Sequence, residues 1–323
     1  MKHIYTLLAL FFVVPCFAQT EESRLFIAPG RESFLHFPSQ TFGDKYNLRV
    51  YLPENAQAKS TRHAVVYLLG WEEDSREAIQ TYLKSNDVLV VWVNFTKSDL
   101  EQDSANIVHF FTQELLPYID TNYFTFDTPE KRILVTHGEG AAKTAVALLQ
   151  KPDLFYFLAA KNAGEAFAQL REWPAKMRVS VTGKPKELSS AQQSLEQAGA
   201  QLGTQFVLYY DNGRNEVLGH ADLGYFTAEK DALRPVKIHS FLTEKQLPLQ
   251  TGAAVHLFAA VTLKNKMVSV FIPQTLRMSP PFLDWDAPGG KLSVRAGAER
   301  GKVKISGQVD NLVFKTAVKL KKP

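Results

Sequence analysis

Cysteine is almost missing from this chain. The single one, Cys16, lies within the first eighteen residues. No disulfide and no cysteine-based metal site can hold the rest together, so stability has to come from a buried core. Blocks of like charge are missing too. The net charge is +4 over 323 residues, with acids and bases interspersed, which excludes the basic arm or acidic tail of a charge-driven binder. Lys315, Lys319, Lys321 and Lys322 read as a solvated strand face and tail, and no nucleic-acid motif occurs. Neither phosphate-binding fingerprint is present: Gly138-Glu139-Gly140 is too short to cradle a phosphate. No cofactor is expected. The chain also lacks an apolar run long enough to span a membrane; the longest candidate, Ile4 to Val14, falls short of the roughly 20 residues required.

What is present begins with that short run. Lys2, the apolar stretch 4–14 and the small residues Cys16 and Ala18 have the layout of a secretory signal peptide over residues 1–18, cleaved before Gln19. The expected compartment is periplasmic or secreted, and the mature chain would carry no cysteine.

Along the chain, Tyr46, Leu48, Val50 and Leu52 alternate as a half-buried strand does. Residues 64–69, 88–93 and 133–135 are continuous apolar runs, as in strands buried on both faces of a mostly parallel sheet. Helical spacing falls between them, at 75–83 and 105–118. Two more β-α pairs follow, 177–181 with 189–202 and 205–210 with a helix near 228–242. Repeated β-α units predict a doubly wound α/β domain over residues 19–250. After Leu247-Pro248 the helical periodicity stops. Runs at 253–262, 267–272, 292–295, 303–306 and 312–320, separated by turns, predict a small C-terminal β-sandwich-like domain over residues 251–323. A cut near Thr251 is expected to leave the α/β domain soluble.

The chemistry concentrates in residues 132–164. A strand (Ile133 to Thr136) runs into a sharp turn, a helix follows from about Ala141 to Gln150, and another apolar run begins at Phe155. This is the layout of the nucleophile elbow, G-x-S-x-G. Here the five positions hold Thr136, His137, Gly138, Glu139 and Gly140. The serine's place is taken by Gly138.

These residues, with Tyr46-Asn-Leu-Arg-Val-Tyr-Leu-Pro53, Ala64-Val-Val-Tyr-Leu-Leu-Gly70, Glu114-Leu-Leu-Pro-Tyr-Ile-Asp-Thr-Asn-Tyr123 and Pro152-Asp-Leu-Phe155, resemble the enterochelin-esterase and esterase D-like family of the α/β-hydrolase superfamily. The resemblance covers roughly residues 36–247. It implies an α/β-hydrolase-like sheet and carboxylic-ester chemistry, with a catalytic histidine in a G-H motif, here His220. It also implies an orienting acid after the 177–181 strand. There the chain reads Gly183-Lys-Pro-Lys-Glu187, so Glu187 is the available acid, late in position, and a surface turn is the competing reading.

The family's oxyanion hole takes one backbone N–H from the residue after the nucleophile, here Glu139. The other comes from the loop after L-H-G, here Gly70-Trp71-Glu72-Glu73-Asp74. Acids there oppose negative charge in a transition state. Trp71 offers a stacking surface in a pocket, or simple packing. A metal site from His137, Glu139 and His220 has no recognised spacing, and none is expected. Esterase chemistry needs a nucleophile, a base, an orienting acid and an oxyanion hole. With serine, acid and oxyanion loop all altered, the expected protein is a catalytically degenerate esterase. It would bind a small molecule, a glycan or an envelope protein. The rival is an active ester hydrolase with a non-standard nucleophile.

Overall fold

The computed structural model describes residues 32–53, 62–71, 76–95, 100, 104–151, 153–174, 176–211, 226, 228–309 and 311–322. The signal-peptide expectation for residues 1–18 lies outside them, as do Glu72 to Asp74 and His220.

The chain first builds an eight-stranded mixed sheet. It begins with β1 (Glu32–Ser39), β2 (Gly43–Tyr51), β3 (Ala64–Leu69), α1 (Arg76–Ser85) and β4 (Val88–Val93). A long helical stretch follows: α2 (Ser104–His109), a π-helical segment Phe110–Leu115, and α3 (Leu116–Asn122). Next come β5 (Arg132–His137), α4 (Glu139–Leu149), β6 (Phe157–Lys161), β7 (Arg178–Gly183), α5 (Pro185–Gln197) and β8 (Phe206–Tyr210). The strand order is β1-β2-β4-β3-β5-β6-β7-β8. β1, β2 and β4 pair antiparallel, and from β4 onward every neighbouring pair is parallel.

Why these strands form is plain from their side chains. Val88–Val93 is buried at every residue, and Ala64–Leu69 at all but its first. A strand covered on both faces has no reason to alternate. On one face α2 to α5 pack with Leu134, Leu158 and Val179. On the other, α1 packs with Val66, Leu68 and Val135.

The π-helical segment is anchored by Glu114, whose carboxylate accepts hydrogen bonds from the backbone N–H groups of Gln40 (3.2 Å) and Thr41 (3.0 Å) and from the Thr41 hydroxyl. It thereby pins the turn between β1 and β2 to the helix. Burial alone would push this carboxyl up, but the bonds from Thr41, Ser39 and the two backbone N–H groups hold it below the ordinary glutamate value. A depressed glutamate stabilises the fold above its unfolded pKa and loses that contribution as pH falls through its folded one. Glu114→Gln is therefore expected to cost about 1–2 kcal/mol at pH 7. In urea unfolding the gap between variant and wild type should close as pH drops below 4.5, the ordinary value. A gap that stays constant from pH 7 to pH 3 would refute the charge-based account.

Beyond β8 the structure corrects one expectation. No helix occupies 228–242: a short 3-10 turn, Lys230–Leu233, leads into the strand β9 (Pro235–Leu242). The remaining strands are β10 (Gln246–Pro248), β11 (Ala254–Leu263), β12 (Val268–Phe271), β13 (Arg277–Ser279), β14 (Leu283–Asp286), β15 (Lys291–Val294), β16 (Gly301–Val309) and β17 (Leu312–Lys321). They form two sheets, β10-β17-β16-β13 and β12-β11-β15-β14, with β9 also paired to β11. The alternation of β17, Phe314, Val318 and Leu320 inside and Lys315, Lys319 and Lys321 outside, follows the expected solvated face.

The boundary expected at 250/251 falls between paired strands. β9 lies antiparallel to β11, from Leu257 opposite Leu242 to Leu263 opposite Pro235. β10 lies parallel to β17. The apolar cluster that holds the two extra sheets is continuous with Phe157 and Val207 on the large sheet, and with Phe226 and Leu233 in the stretch that follows it. Polar bonds cross the same seam. Ser269 Oγ accepts from the Leu208 N–H (2.9 Å), and the Gln192 side chain bonds both the N–H and the C=O of Ile272, at 2.9 and 3.0 Å.

Candidate active site

The strand order reverses direction at β3. The chain leaves β3 toward β4 on one side through α1, and leaves β5 toward β6 on the other through α4. In open α/β sheets the crevice between two such strands, at their carboxyl ends, is where ligands bind. Gly70 ends the run out of β3 and Gly138 the run out of β5, so the elbow sits at that switch point.

Gly138 closes the ladder and starts the helix. Its N–H donates to the Lys161 carbonyl (2.9 Å), and its carbonyl accepts from Ala142 N–H (3.1 Å), the first bond of α4. Its backbone stands at φ 87°, ψ 158°, a region that only glycine enters without strain of about 1–3 kcal/mol. Among the described residues, a Cβ built there would meet nothing within 4 Å.

Gly70 is the reverse case. At φ +72°, a Cβ would stand 2.3 Å from the His137 carbonyl oxygen and 2.9 Å from the Ala141 Cβ. The chain leaving β3 is pressed against the elbow backbone.

The flanking residues are committed to structure. Trp71 is 6% exposed, and its indole N–H donates to the Val135 carbonyl (3.2 Å). Its ring packs against the His137 ring, centroids 5.1 Å apart. Trp71 is thus packed against the elbow. His137 Nε2 accepts from the Asn162 amide (3.1 Å). Glu139, the first residue of α4, holds Lys143 through an ion pair of 2.7 Å. That hydrogen bond and charge push the Lys143 ammonium above its ordinary value. The Glu139 side chain also fills the space beside Gly164, where a Cβ would meet Oε2 at 2.7 Å.

Glu187 is the third helical residue of α5, behind Pro185 at the first. Its Oε2 accepts the Lys184 backbone N–H at 2.8 Å, the bond with which a glutamate reaches back to cap a helix start. His220, the expected base, lies outside the described residues.

Sequence reasoning missed a polar row beside the elbow. His137 is in register with Lys161, Lys161 with Thr182, and Thr182 with Tyr209, across four neighbouring parallel strands. Residues in register share a face. Lys161 pairs with Asp211, just past β8, at 3.7 Å, with both side chains nearly buried (12% and 11% exposed). The Thr182 hydroxyl is buried and has no hydrogen-bond partner among the described residues. Asn162 takes a positive φ of 54° and bonds through its N–H to the Thr182 carbonyl (2.9 Å). The signal available in sequence was the polar residue closing each apolar run: Lys161-Asn162, Thr182 and Asp211. Among the described residues, no three His, Cys, Asp or Glu side chains stand close enough to hold a metal ion.

Residues 39–222 match the protein family described as "Putative esterase", a stretch of more than half of the chain. No curated protein matches. Among solved structures, a ferulic acid esterase from Anaeromyces mucronatus is similar at 13% identity and a TM-score of 0.46, covering 61% of this chain and 88% of that one. The enterobactin esterase of Shigella flexneri is similar at 11% identity and 0.47, covering 62% of each chain. An uncharacterised protein from Capnocytophaga ochracea is similar at 17% and 0.47, covering 64% of this chain and 66% of that one. The family assignment rests on the sequence match, and the mixed sheet and the elbow position agree with it. The chain belongs to this esterase family, of the α/β-hydrolase type.

Proposed function

We propose that this protein is a catalytically degenerate member of its family, a periplasmic or secreted protein that binds a small molecule, a glycan or an envelope protein and does not hydrolyse esters. One observation carries the reading: Gly138 occupies the apex of the elbow and offers no oxygen, sulfur or nitrogen side chain to attack a carbonyl. Acyl transfer on this fold needs a nucleophile held at a fixed distance by that turn. Around it, Trp71 is packed away and Glu187 caps a helix, while the N–H of Glu139 remains a backbone feature that any side chain would leave in place. In this reading His220 is a retained histidine without a nucleophile to serve, and the two extra sheets form a β-sandwich-like accessory layer.

The test is direct. The purified full chain, incubated with a fluorophosphonate probe, is expected to stay unlabelled by intact-mass spectrometry. Its hydrolysis of p-nitrophenyl acetate should stay at the rate of the no-protein blank. Stoichiometric labelling, with the modified residue located by peptide mapping, would instead establish an active hydrolase whose nucleophile lies elsewhere.

A further inference from the structure

A cavity of about 570 Å³ opens at the seam between the large sheet and the added strands. Its walls come from the end of α5 and the turn into β8, from the start of β9, and from the ends of β12 and β16. The turn into β8 lies at the amino edge of the large sheet, whereas Gly138 lies at the carboxyl edge. The cavity is therefore separate from the elbow, and nothing proposed above for the elbow bears on it.

Its chemistry is selective. Three glutamines, Gln201, Gln274 and Gln308, converge from three separate stretches of chain, joined by the hydroxyls of Thr204 and Thr275. Each amide offers two donors and an acceptor oxygen, and each hydroxyl both gives and takes a hydrogen bond. Two of the contacts they make within the protein are long: Thr204 Oγ1 to Gln201 Oε1 is 3.4 Å, and Gln274 Nε2 to the Ile272 carbonyl is 3.5 Å, at the weak limit of hydrogen bonding. Gln201, Thr204 and Gln274 thus keep capacity for a ligand.

The charges are one of each sign, Glu196 and Arg234, so the lining does not select a net charge. Between the polar groups lie Phe271, Leu202, Pro235 and Val309, an apolar floor. Glutamine, threonine and an apolar floor together match a molecule that is uncharged, dense in hydroxyls and apolar on its ring faces. The volume lies within the roughly 300–1,000 Å³ of ordinary small-molecule sites, which favour interfaces between structural units. We infer that this seam is a binding site for a short neutral oligosaccharide.

The experiment is isothermal titration calorimetry of the full chain against cellotriose, maltotriose, xylotriose and tri-N-acetylchitotriose, with trigalacturonate and triglycine as anionic and peptide comparisons. At least one neutral trisaccharide is expected to bind with a Kd between about 10 μM and 5 mM. Gln201→Ala with Gln274→Ala should weaken that binding roughly tenfold or more by removing two amides. Both side chains are exposed, so thermal melting should be unchanged. Thr275→Arg, beside Gln274 on the same stretch, fills the cavity with a bulky side chain and should weaken it as well. Preferential binding of trigalacturonate or triglycine, no binding of any neutral sugar at about 10 mM, or binding that survives both sets of substitutions would overturn the inference. Fluorophosphonate labelling of the elbow would leave it standing.

Discussion

Gly70→Ala is expected to destabilise the protein by about 3–5 kcal/mol, combining an overpacking clash with a left-handed backbone conformation. The new methyl carbon would lie 2.3 Å from the His137 carbonyl oxygen. That oxygen is backbone at the end of a central strand, and no rotamer can move it aside. The obstacle on the other side is the Ala141 Cβ at 2.9 Å, on the first turn of α4. Relief therefore requires β3 and the elbow to separate. Urea unfolding followed by tryptophan fluorescence measures the effect, with Trp71 as a reporter placed beside the His137 ring.

Gly138→Ala is the matched comparison. Among the described residues a Cβ there meets nothing, so its cost should come from backbone strain, about 1–3 kcal/mol. If Gly70→Ala came within 1 kcal/mol of wild type, the close approach of the two turns would be wrong, and with it the geometry of the elbow. If Gly138→Ala cost nothing, glycine at the apex would have no conformational advantage over the residue it replaces in the family motif.

The parts of this fold legible from sequence were those whose burial is uniform. Val88–Val93 reads as a central strand because every residue is apolar, and α4 reads as a helix because it follows a buried strand and a glycine-rich turn. β9 was misread for a physical reason. Val236, Ile238, Phe241 and Leu242 fit a loose helical spacing as well as a strand, since the strand lies at one side of β11 with Val236 and Phe241 substantially exposed. Its partner is more than a dozen residues downstream, so the deciding hydrogen bonds are invisible to local pattern. The polar row His137–Lys161–Thr182–Tyr209 was hidden likewise, because register across four strands is a tertiary fact. Glu187 was read from the sequence as a late orienting acid or a surface turn, and the helix start behind Pro185 was missed because lysine is not a capping residue. The structure gives its carboxylate the bond from the Lys184 N–H.

A chain ending at Gln250 is expected to be insoluble or unfolded, and the full chain is expected to unfold in one cooperative transition. This reverses what the loss of helical periodicity after Pro248 suggests. β9 would keep its own residues and lose every hydrogen bond it makes to β11, and β10 would lose β17. An unpaired strand exposes a row of backbone donors and acceptors that invites aggregation. The apolar cost is larger. Val207, Phe157, Phe226 and Leu233 share one cluster with Val255, Leu257, Leu292 and Val318, and removal of the latter would bare them. Each such side chain is worth about 1.5–3 kcal/mol when buried, and stabilities of whole domains are only about 5–15 kcal/mol. Uncovering four of them is therefore enough to consume the margin. Polar bonds go too: Gln192 would lose both partners on Ile272, and the Leu208 N–H would lose Ser269. The comparison is soluble yield and circular dichroism of the two chains expressed with the same N-terminus. A soluble, folded fragment with a melting transition near that of the full chain would show that the added sheets are an independent unit, and that the seam between them is a contact between domains rather than part of one core.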